Sequence, residues 1–234
     1  MNQRVRGAID LAPEHGAAAL ALDLSAGDGQ SSELLKARGW RVISTEYQTR
    51  KPGWVAADLD HALPFKSARF DLVTMLEVIE HLADIPHAIG EIARVLKPGG
   101  TAIITTPNRL SVTSRIHYLL TGYYKGRRSP LPYRYKVSDG RNWHVMGLND
   151  LHWIAWGAGL RMEALGRGPR KLRARILAVL LYPLIAGYSW LSYVRGVKEI
   201  GQRAINRQLF GFMTSPSLLI DENILMRFRK VEPE

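Results

Sequence analysis

The protein has 234 residues, which is enough for one α/β domain with a large buried core. It contains no cysteine, so disulfides, cysteine-ligated zinc and thiol nucleophiles are excluded. The formal net charge is +11, which favours partners that carry negative charge. The polar N-terminal residues are not expected to form a signal peptide.

The first strong pattern is a strand, a glycine-containing turn and a helix. The apolar run at residues 20–24 predicts a buried parallel strand. It leads into a turn with Gly27 and Gly29, and residues 31–39 predict a helix with a glycine just past its end. This order is typical of the opening of a nucleotide-binding βαβ unit, because the backbone must bend sharply and lie close to a ligand.

The turn does not match a dinucleotide site well. Ser32 stands where the third glycine of that motif would be, and Asp28 would lie beside a phosphate. A ligand with a cationic centre is a better electrostatic match for Asp23 and Asp28.

Further predicted elements alternate along the chain. A second strand at residues 40–46 ends in Glu46, an acid that can accept both hydroxyls of a ribose. Residues 96–100 are expected to close a helix. The other predicted elements are strands at 56–59, 70–75, 101–106, 161–165 and 222–230, and helices at 108–121 and before 157–160.

Residues 20–108 carry a set of motifs that is specific when taken together. In chain order they are Leu-Asp-Leu-x-x-Gly-x-Gly, the acid Glu46, Ala-Asp-Leu, Leu-Pro-Phe, Phe-Asp-Leu-Val, Glu-Val-Ile-Glu-His-Leu, Arg-Val-Leu-Lys-Pro-Gly-Gly and Thr-Pro-Asn. The sequence resembles the class I S-adenosylmethionine-dependent methyltransferases, in the group that includes the ubiquinone-biosynthesis methyltransferases. One departure is Ser25, where the family usually has the first glycine of its loop.

The resemblance implies an α/β fold with a Rossmann-like, seven-stranded methyltransferase sheet. The sheet should be mostly parallel with an antiparallel last strand and helices on both faces, and an apolar helical insertion should precede that strand. We expect a single domain over residues 1–234. Its predicted parts are a cofactor-binding core at 20–108, substrate-side loops and helices at 109–160, the apolar and basic helical insertion at 170–215, and the last strand at 222–230.

The resemblance also implies where the cofactor S-adenosyl-L-methionine binds. Asp23, Gly27 and Gly29 would surround its methionine part and Glu46 its ribose, whereas Asp58 and Leu59 would contact the adenine. Glu77 would lie near the methionine end. The predicted cofactor-binding residues are Asp23, Ser25, Ala26, Gly27, Gly29, Glu46, Tyr47, Asp58, Leu59 and Glu77.

Two histidines are the candidate catalytic bases, because imidazole titrates near neutral pH and a hydroxyl acceptor must lose its proton. They are His81 and His144, both expected on the substrate side. The alternative is that His81 caps or packs its helix and that His144 only orients a loop. No metal site is predicted.

Excess positive charge is confined to one stretch. Residues 109–175 contain 14 Lys and Arg against 3 Asp and Glu, and the rest of the chain is neutral. A solvated basic face is one interpretation, and attraction to phosphates of lipid headgroups or of a phosphorylated carrier is the other. Within it, the Arg- and Tyr-rich residues 123–141 predict a lid or binding loop.

Such a loop could also stack nucleic-acid bases. Methyltransferases that act on amino groups of DNA bases usually have an Asn/Asp-Pro-Pro-aromatic motif after the fourth strand. Residues 76–81 lack it, which disfavours a nucleic-acid partner.

Residues 176–194 form an uncharged apolar run of 19 residues with cationic flanks. A single membrane span is not expected, because the last strand must rejoin the sheet. We expect the run to lie in the membrane interface, with its aromatic side chains at headgroup level and both ends on the cytoplasmic side. The alternative is a segment packed on the protein or in a homodimer interface.

These expectations combine into one hypothesis. The protein would be a cytoplasmic methyltransferase, peripheral to an anionic membrane, that methylates a hydroxyl of a lipid-linked glycan precursor or a quinone-type lipid. The alternatives are a methyltransferase of a soluble small molecule that dimerises through the apolar run, and an inactive basic nucleic-acid-binding module.

Overall fold

The structure is a computed structural model that describes residues 2–16, 18–48, 51–122, 124 and 146–231. Apart from Tyr124, the loop predicted at 123–141 lies outside these residues, and so does His144. Seven strands are present in the described residues: β1 (Leu20–Leu24), β2 (Arg41–Glu46), β3 (Val55–Ala56), β4 (Phe70–Leu76), β5 (Leu96–Pro107), β6 (Leu160–Leu165) and β7 (Asn223–Lys230).

The seven strands form one sheet in the order β3-β2-β1-β4-β5-β7-β6. Strands β1 to β5 pair in parallel, whereas β7 is antiparallel to both of its neighbours, β5 and β6. The predicted fold class is therefore confirmed, including the antiparallel last strand. The helices are α1 (Gln3–Ile9), α2 (Gln30–Ala37), α3 (Ile85–Val95), α4 (Val112–Thr121), α5 (Leu148–Gly157), α6 (Leu172–Trp190), α7 (Ile200–Met213) and α8 (Pro216–Ile220).

Alternating side chains of the central strands build a core on each face of the sheet. Leu22 belongs to the larger core, which also contains residues of α3, α5 and α7. Ala21, the residue before it, belongs to the smaller core with residues of α1 and α2. Burial on both faces explains why β1 consists almost entirely of apolar residues.

Some element boundaries differ from the sequence prediction. Residues 96–100 belong to β5 instead of closing α3, because Leu96 already pairs with Phe70 and a register shift precedes Thr101. Helix α4 begins at Val112 and not at residue 108, because Ser111 caps it by accepting a hydrogen bond from the backbone of Ser114.

The apolar insertion is helix α6, which continues through Pro183 and is followed by a π-helical turn at Leu191–Arg195. Only Ala174 and Ala178 of this helix are buried, and it packs against α4, α7 and α8. Among the described residues, Leu172–Arg195 is the one helical segment long and apolar enough to cross a membrane by length and composition, with a mean hydropathy of 1.5 over an 18-residue stretch.

Candidate active site

The candidate site begins at the turn between β1 and α2. Ser25, Gly27 and Gly29 all have positive φ angles of 49°, 57° and 92°. A β-carbon built at Gly27 would have no heavy atom within 4 Å, so open space lies on that side of the turn. The turn therefore offers a ligand close access to the backbone.

Asp23, at the end of β1, supports this turn from below. It is 1% exposed, and its carboxylate accepts hydrogen bonds from the hydroxyls of Ser31 and Ser32, both at 2.6 Å, and of Thr74 at 2.7 Å. Burial raises the pKa of Asp23, although these three hydrogen bonds act in the opposite direction. The contacts hold α2 and β4 to the turn, so the described role of Asp23 is to position the glycines.

Glu46, at the tip of β2, lies directly against the turn. Its carboxylate accepts hydrogen bonds from the backbone N–H of Gly27 at 3.0 Å and of Tyr47 at 3.1 Å. The side chain of Tyr47 is exposed to solvent. The backbone N–H of Ala26 donates to the carbonyl of Thr45 at 2.9 Å, which fastens the turn to the same strand.

Asp58 and Leu59 follow β3, whose last residue, Ala56, pairs with Glu46. The carboxylate of Asp58 accepts a hydrogen bond from the backbone of Asp60 at 3.0 Å and lies 2.9 Å from Nδ1 of His61. Leu59 is buried in the larger core. Because Ala56 is level with Glu46 in the sheet, Asp58 lies at the same edge as Glu46 and the glycine turn.

Glu77 follows β4 at this edge and has a positive φ of 59°. Its carboxylate accepts hydrogen bonds from Arg4 at 3.2 Å, from the hydroxyl of Thr105 at 2.9 Å and from the amide of Asn223 at 2.7 Å. Burial raises the pKa of Glu77, although Thr105 and Arg4 oppose that shift. Helix α1 thus reaches the site through Arg4, and β7 reaches it through Asn223.

The side chain of Glu80, close to Glu77, is more deeply buried than that of Glu77. It is 3% exposed and accepts a hydrogen bond from the hydroxyl of Thr106 at 3.2 Å. Burial, together with the negative charge of Glu77, raises the pKa of Glu80 to about 7. His81, the next residue, is exposed at the end of a short 3-10 turn.

The family model of the methyltransferase domain matches residues 2–165 of the chain, which include α1 and all of the side chains above except Asn223. This chain belongs to that methyltransferase family. The resemblance found in the sequence motifs is therefore confirmed.

Two curated relatives of this methyltransferase match over part of their length. One, from Mycolicibacterium smegmatis, is named "Probable S-adenosylmethionine-dependent methyltransferase" and is 34% identical over 99 residues, which cover 38% of each chain. The other, a demethylmenaquinone methyltransferase from Thermobifida fusca, is 36% identical over 108 residues, which cover 40% of this chain and 45% of the relative. The match thus spans less than half the length of these relatives.

A solved structure shares the fold. The 1,6-didemethyltoxoflavin-N1-methyltransferase of Burkholderia thailandensis, solved with 1,6-didemethyltoxoflavin and S-adenosylhomocysteine bound, superposes with a TM-score of 0.55. The alignment covers 97% of this chain and 77% of that one at 15% sequence identity.

The residues of this methyltransferase fit its predicted cofactor. The open side of Gly27 leaves room beside the turn for the methionine part of the cofactor. Glu46 supplies two carboxylate oxygens there, and the partly exposed Asp58 lies at the same edge. The contact residues themselves stay predictions, and for Asp23 the structure describes a support with no exposed oxygen.

Several site residues were not found from the sequence. Arg4 and Asn223 contact Glu77 from positions 73 and 146 residues away in the chain. The ammonium of Lys51 donates to the carbonyl of Gly27 at 2.5 Å and lies 4.1 Å from the ring centroid of Trp54. None of them lies in a recognised motif, so only the folded chain brings them to the site.

Proposed function

We propose that this methyltransferase uses S-adenosylmethionine to methylate a hydroxyl of a lipid-linked glycan precursor or a quinone-type lipid, at the cytoplasmic face of a membrane. One observation carries the proposal: the candidate site and the exposed apolar helix α6 adjoin the same edge of the sheet. Asn223 contacts Glu77, and the two residues before it, Asp221 and Glu222, form ion pairs with Arg170 and Lys171 at the start of α6.

Several groups of the chain are suited to hold the cofactor. Glu46 and Asp58 can accept hydrogen bonds from the ribose and the adenine, and the turn at Gly27 can lie close to the methionine part. Arg4 can pair with the carboxylate of the methionine part, since its guanidinium lies 3.2 Å from Glu77, the residue expected near the methionine end. The cofactor supplies an electrophilic methyl group on a sulfonium.

The remaining chemical task of the protein is to align the acceptor and remove its proton. His81 is the proposed base, because it is exposed beside Glu77 and Glu80 at the carboxyl edge of the sheet. His144 stays a candidate from the sequence. A His81→Gln variant should retain its affinity for S-adenosylhomocysteine and lose about 100-fold in kcat. An unchanged kcat would remove His81 from the mechanism.

The lipid part of the proposal is supported by the surface of α6. Val179, Leu180, Leu184 and Tyr188 are each 69–74% exposed. Large contiguous apolar surfaces of this kind mark interaction sites on soluble proteins. The cationic residues at both ends of α6 complement an anionic membrane. The name of the Thermobifida fusca relative is consistent with a quinone-type acceptor.

The methyltransferase activity is tested first with the purified protein. Isothermal titration calorimetry should detect S-adenosylhomocysteine binding to the wild type, and absence of binding would contradict the proposal. Incubation with methyl-labelled cofactor and a membrane extract should then place the label in the lipid fraction. Label that appears only in water-soluble products would contradict a lipid acceptor.

The membrane contact is tested by flotation with anionic vesicles. Leu180→Glu should weaken vesicle binding by about tenfold or more, because a charge replaces an apolar side chain at the interface. Arg41→Gln on β2 changes the net charge by the same amount and serves as the matched control. A wild type that does not float, but dimerises with loss of dimer in Leu180→Glu, would instead support the soluble acceptor with α6 as the dimer interface.

A further inference from the structure

A cavity of about 230 Å³ lies between the start of α4, the start of α6 and the connection from α8 to β7. It adjoins the candidate site, because Pro107 on its wall pairs with Asn223, which contacts Glu77. Its lining residues are Pro107, Asn108, Ser111, Thr113, Ser114, Lys171, Arg173, Ala174, Ile220, Asp221 and Glu222.

The first turn of α4 supplies one wall of this cavity. Ser111 caps the helix, and its hydroxyl lies 3.3 Å from that of Thr113. The first backbone N–H groups of an α-helix have no partner within the helix, and the partial positive charge there favours anions. This ten-residue helix therefore presents donors to the cavity.

Ser114 gives a second, independent indication of a ligand. It is 1% exposed and lines the cavity, and its hydroxyl has no hydrogen-bond partner among the described residues. A buried hydroxyl without a partner is unfavourable, and such groups often mark the position of a bound ion or water.

The charged residues on the opposite wall are two cations and two carboxylates, and Arg170, which pairs with Asp221 from outside the lining, adds one positive charge. Asp221 accepts hydrogen bonds from Arg170 at 2.5 Å and from the backbone of Gly168 at 2.7 Å, and Glu222 is paired with Lys171. Arg173 forms no ion pair with any residue in the part of the chain that the structure describes. Both carboxylates are thus neutralised by cations, and one further cation remains at the cavity.

We propose that this cavity binds a phosphate group, held by the first turn of α4, the hydroxyl of Ser114 and the guanidinium of Arg173. Hydroxyls, backbone N–H groups and guanidinium are the usual partners of phosphate oxygens. The assignment of this phosphate to the methyl acceptor rests on the proposed function, because α6 leads from the rim of the cavity along an apolar surface. A lipid phosphate and a soluble phosphate compound share this chemistry.

The test compares two arginines at the start of α6. Arg173 lines the cavity, whereas Arg175 is also exposed but does not line it. Binding of inorganic phosphate is measured by calorimetry, and binding to phosphatidylcholine vesicles that contain phosphatidic acid is measured by flotation. Vesicles with oleate at equal surface charge control for non-specific attraction.

We expect Arg173→Gln to weaken phosphate binding about tenfold and Arg175→Gln by less than about twofold. Ser114→Ala should also weaken it without loss of stability. An Arg173-dependent effect with phosphatidic acid alone identifies a lipid phosphate as the ligand, and one with inorganic phosphate alone identifies a soluble compound. Equal effects of the two arginine variants in both assays, or no binding in either, would overturn the proposal.

Calorimetry with S-adenosylhomocysteine on the same preparations separates the two proposals. Cofactor binding without phosphate binding would overturn the phosphate site and leave the proposed function intact. Phosphate binding without cofactor binding would overturn the proposed function and leave the phosphate site intact.

Discussion

Leu22 and Leu180 are the same residue type in opposite surroundings. Leu22, in β1, is fully buried between the sheet and its helices, whereas Leu180, in α6, is 69% exposed. The cofactor half of the protein, residues 20–108, covers most of its apolar residues by itself, because its central strands are packed on both faces. Helix α6 is as apolar as a core helix, yet only two of its residues are buried. Its surface is therefore suited to contact something outside the chain.

The largest expected difference in the free energy of unfolding comes from making the same substitution, leucine to alanine, in these two regions. Leu22→Ala should lower the free energy of unfolding by about 3 kcal/mol, because it removes buried methyl groups and leaves a cavity. Leu180→Ala should change it by less than about 0.5 kcal/mol. Urea unfolding of the purified protein measures both values.

An equal cost for both variants would show that α6 is covered in solution by another copy of the chain. In that case the unfolding midpoint of the wild type would rise with protein concentration.

The next prediction concerns Glu80, a buried carboxyl group of the site. The pKa of Glu80 is raised from about 4.5 to about 7 in the folded protein. Below pH 4.5 the carboxyl is protonated in both the folded and unfolded states. Between pH 4.5 and 7 only the folded state keeps the proton, so raising the pH favours unfolding.

The wild type should therefore lose about 3 kcal/mol more stability between pH 4.5 and 8 than the Glu80→Gln variant, which has no group to ionise there. The two proteins differ only at residue 80, so the difference between their pH curves reports on this carboxyl group and its interaction with Glu77. Urea unfolding at several pH values measures the difference, and Glu33→Gln on the exposed face of α2 serves as the control. Parallel pH curves for wild type and Glu80→Gln would contradict the assignment.

Some contacts of the site could be predicted from local sequence motifs, whereas others depend on how distant segments pack together. The contact between Glu46 and the turn at Gly27 follows from local motifs, because carboxyl ends of neighbouring parallel strands meet at one edge. Arg4 was not predicted, since its contact with Glu77 depends on how α1 packs against the sheet. Asp23 was predicted to touch the cofactor, but nothing in its motif shows that three hydroxyls would enclose it.

The insertion was predictable in a different way. The length and lack of charge of the run at 176–194 predict a helix, and α6 (Leu172–Trp190) contains most of that run. Its exposure depends on whether other elements cover it, and hydropathy is the same in either case. The cavity of about 230 Å³ at its base combines residues from three separate segments, so no single motif could have indicated it.

A smaller effect is expected at the ribose end of the cofactor half. Glu46→Gln should weaken S-adenosylhomocysteine binding about 30-fold, because hydrogen bonds to a charged carboxylate are replaced by weaker ones to an amide. Calorimetry measures the affinity, with Glu33→Gln as a matched control on the same half. An affinity within twofold of the wild type would show that Glu46 only holds the turn through Gly27.

The smallest effect concerns Ser25, which adopts a φ of 49° at a position where the sequence motif leads us to expect glycine. A left-handed conformation costs a residue with a β-carbon about 1–2 kcal/mol, and glycine avoids this cost. Glycine also loses more conformational entropy on folding, which offsets part of the stabilisation. Ser25→Gly should therefore stabilise the protein by about 0.5 kcal/mol. Ala68→Gly, at a φ of 52° outside the site, should stabilise it equally.

The two glycine variants also separate backbone strain from ligand contact. If serine is a tolerated substitute in a turn that already has a glycine-like shape, S-adenosylhomocysteine affinity should stay within about twofold in both. A large change in Ser25→Gly alone would mean that the serine side chain contacts the cofactor. The turn would then hold the ligand through a hydroxyl as well as through the backbone.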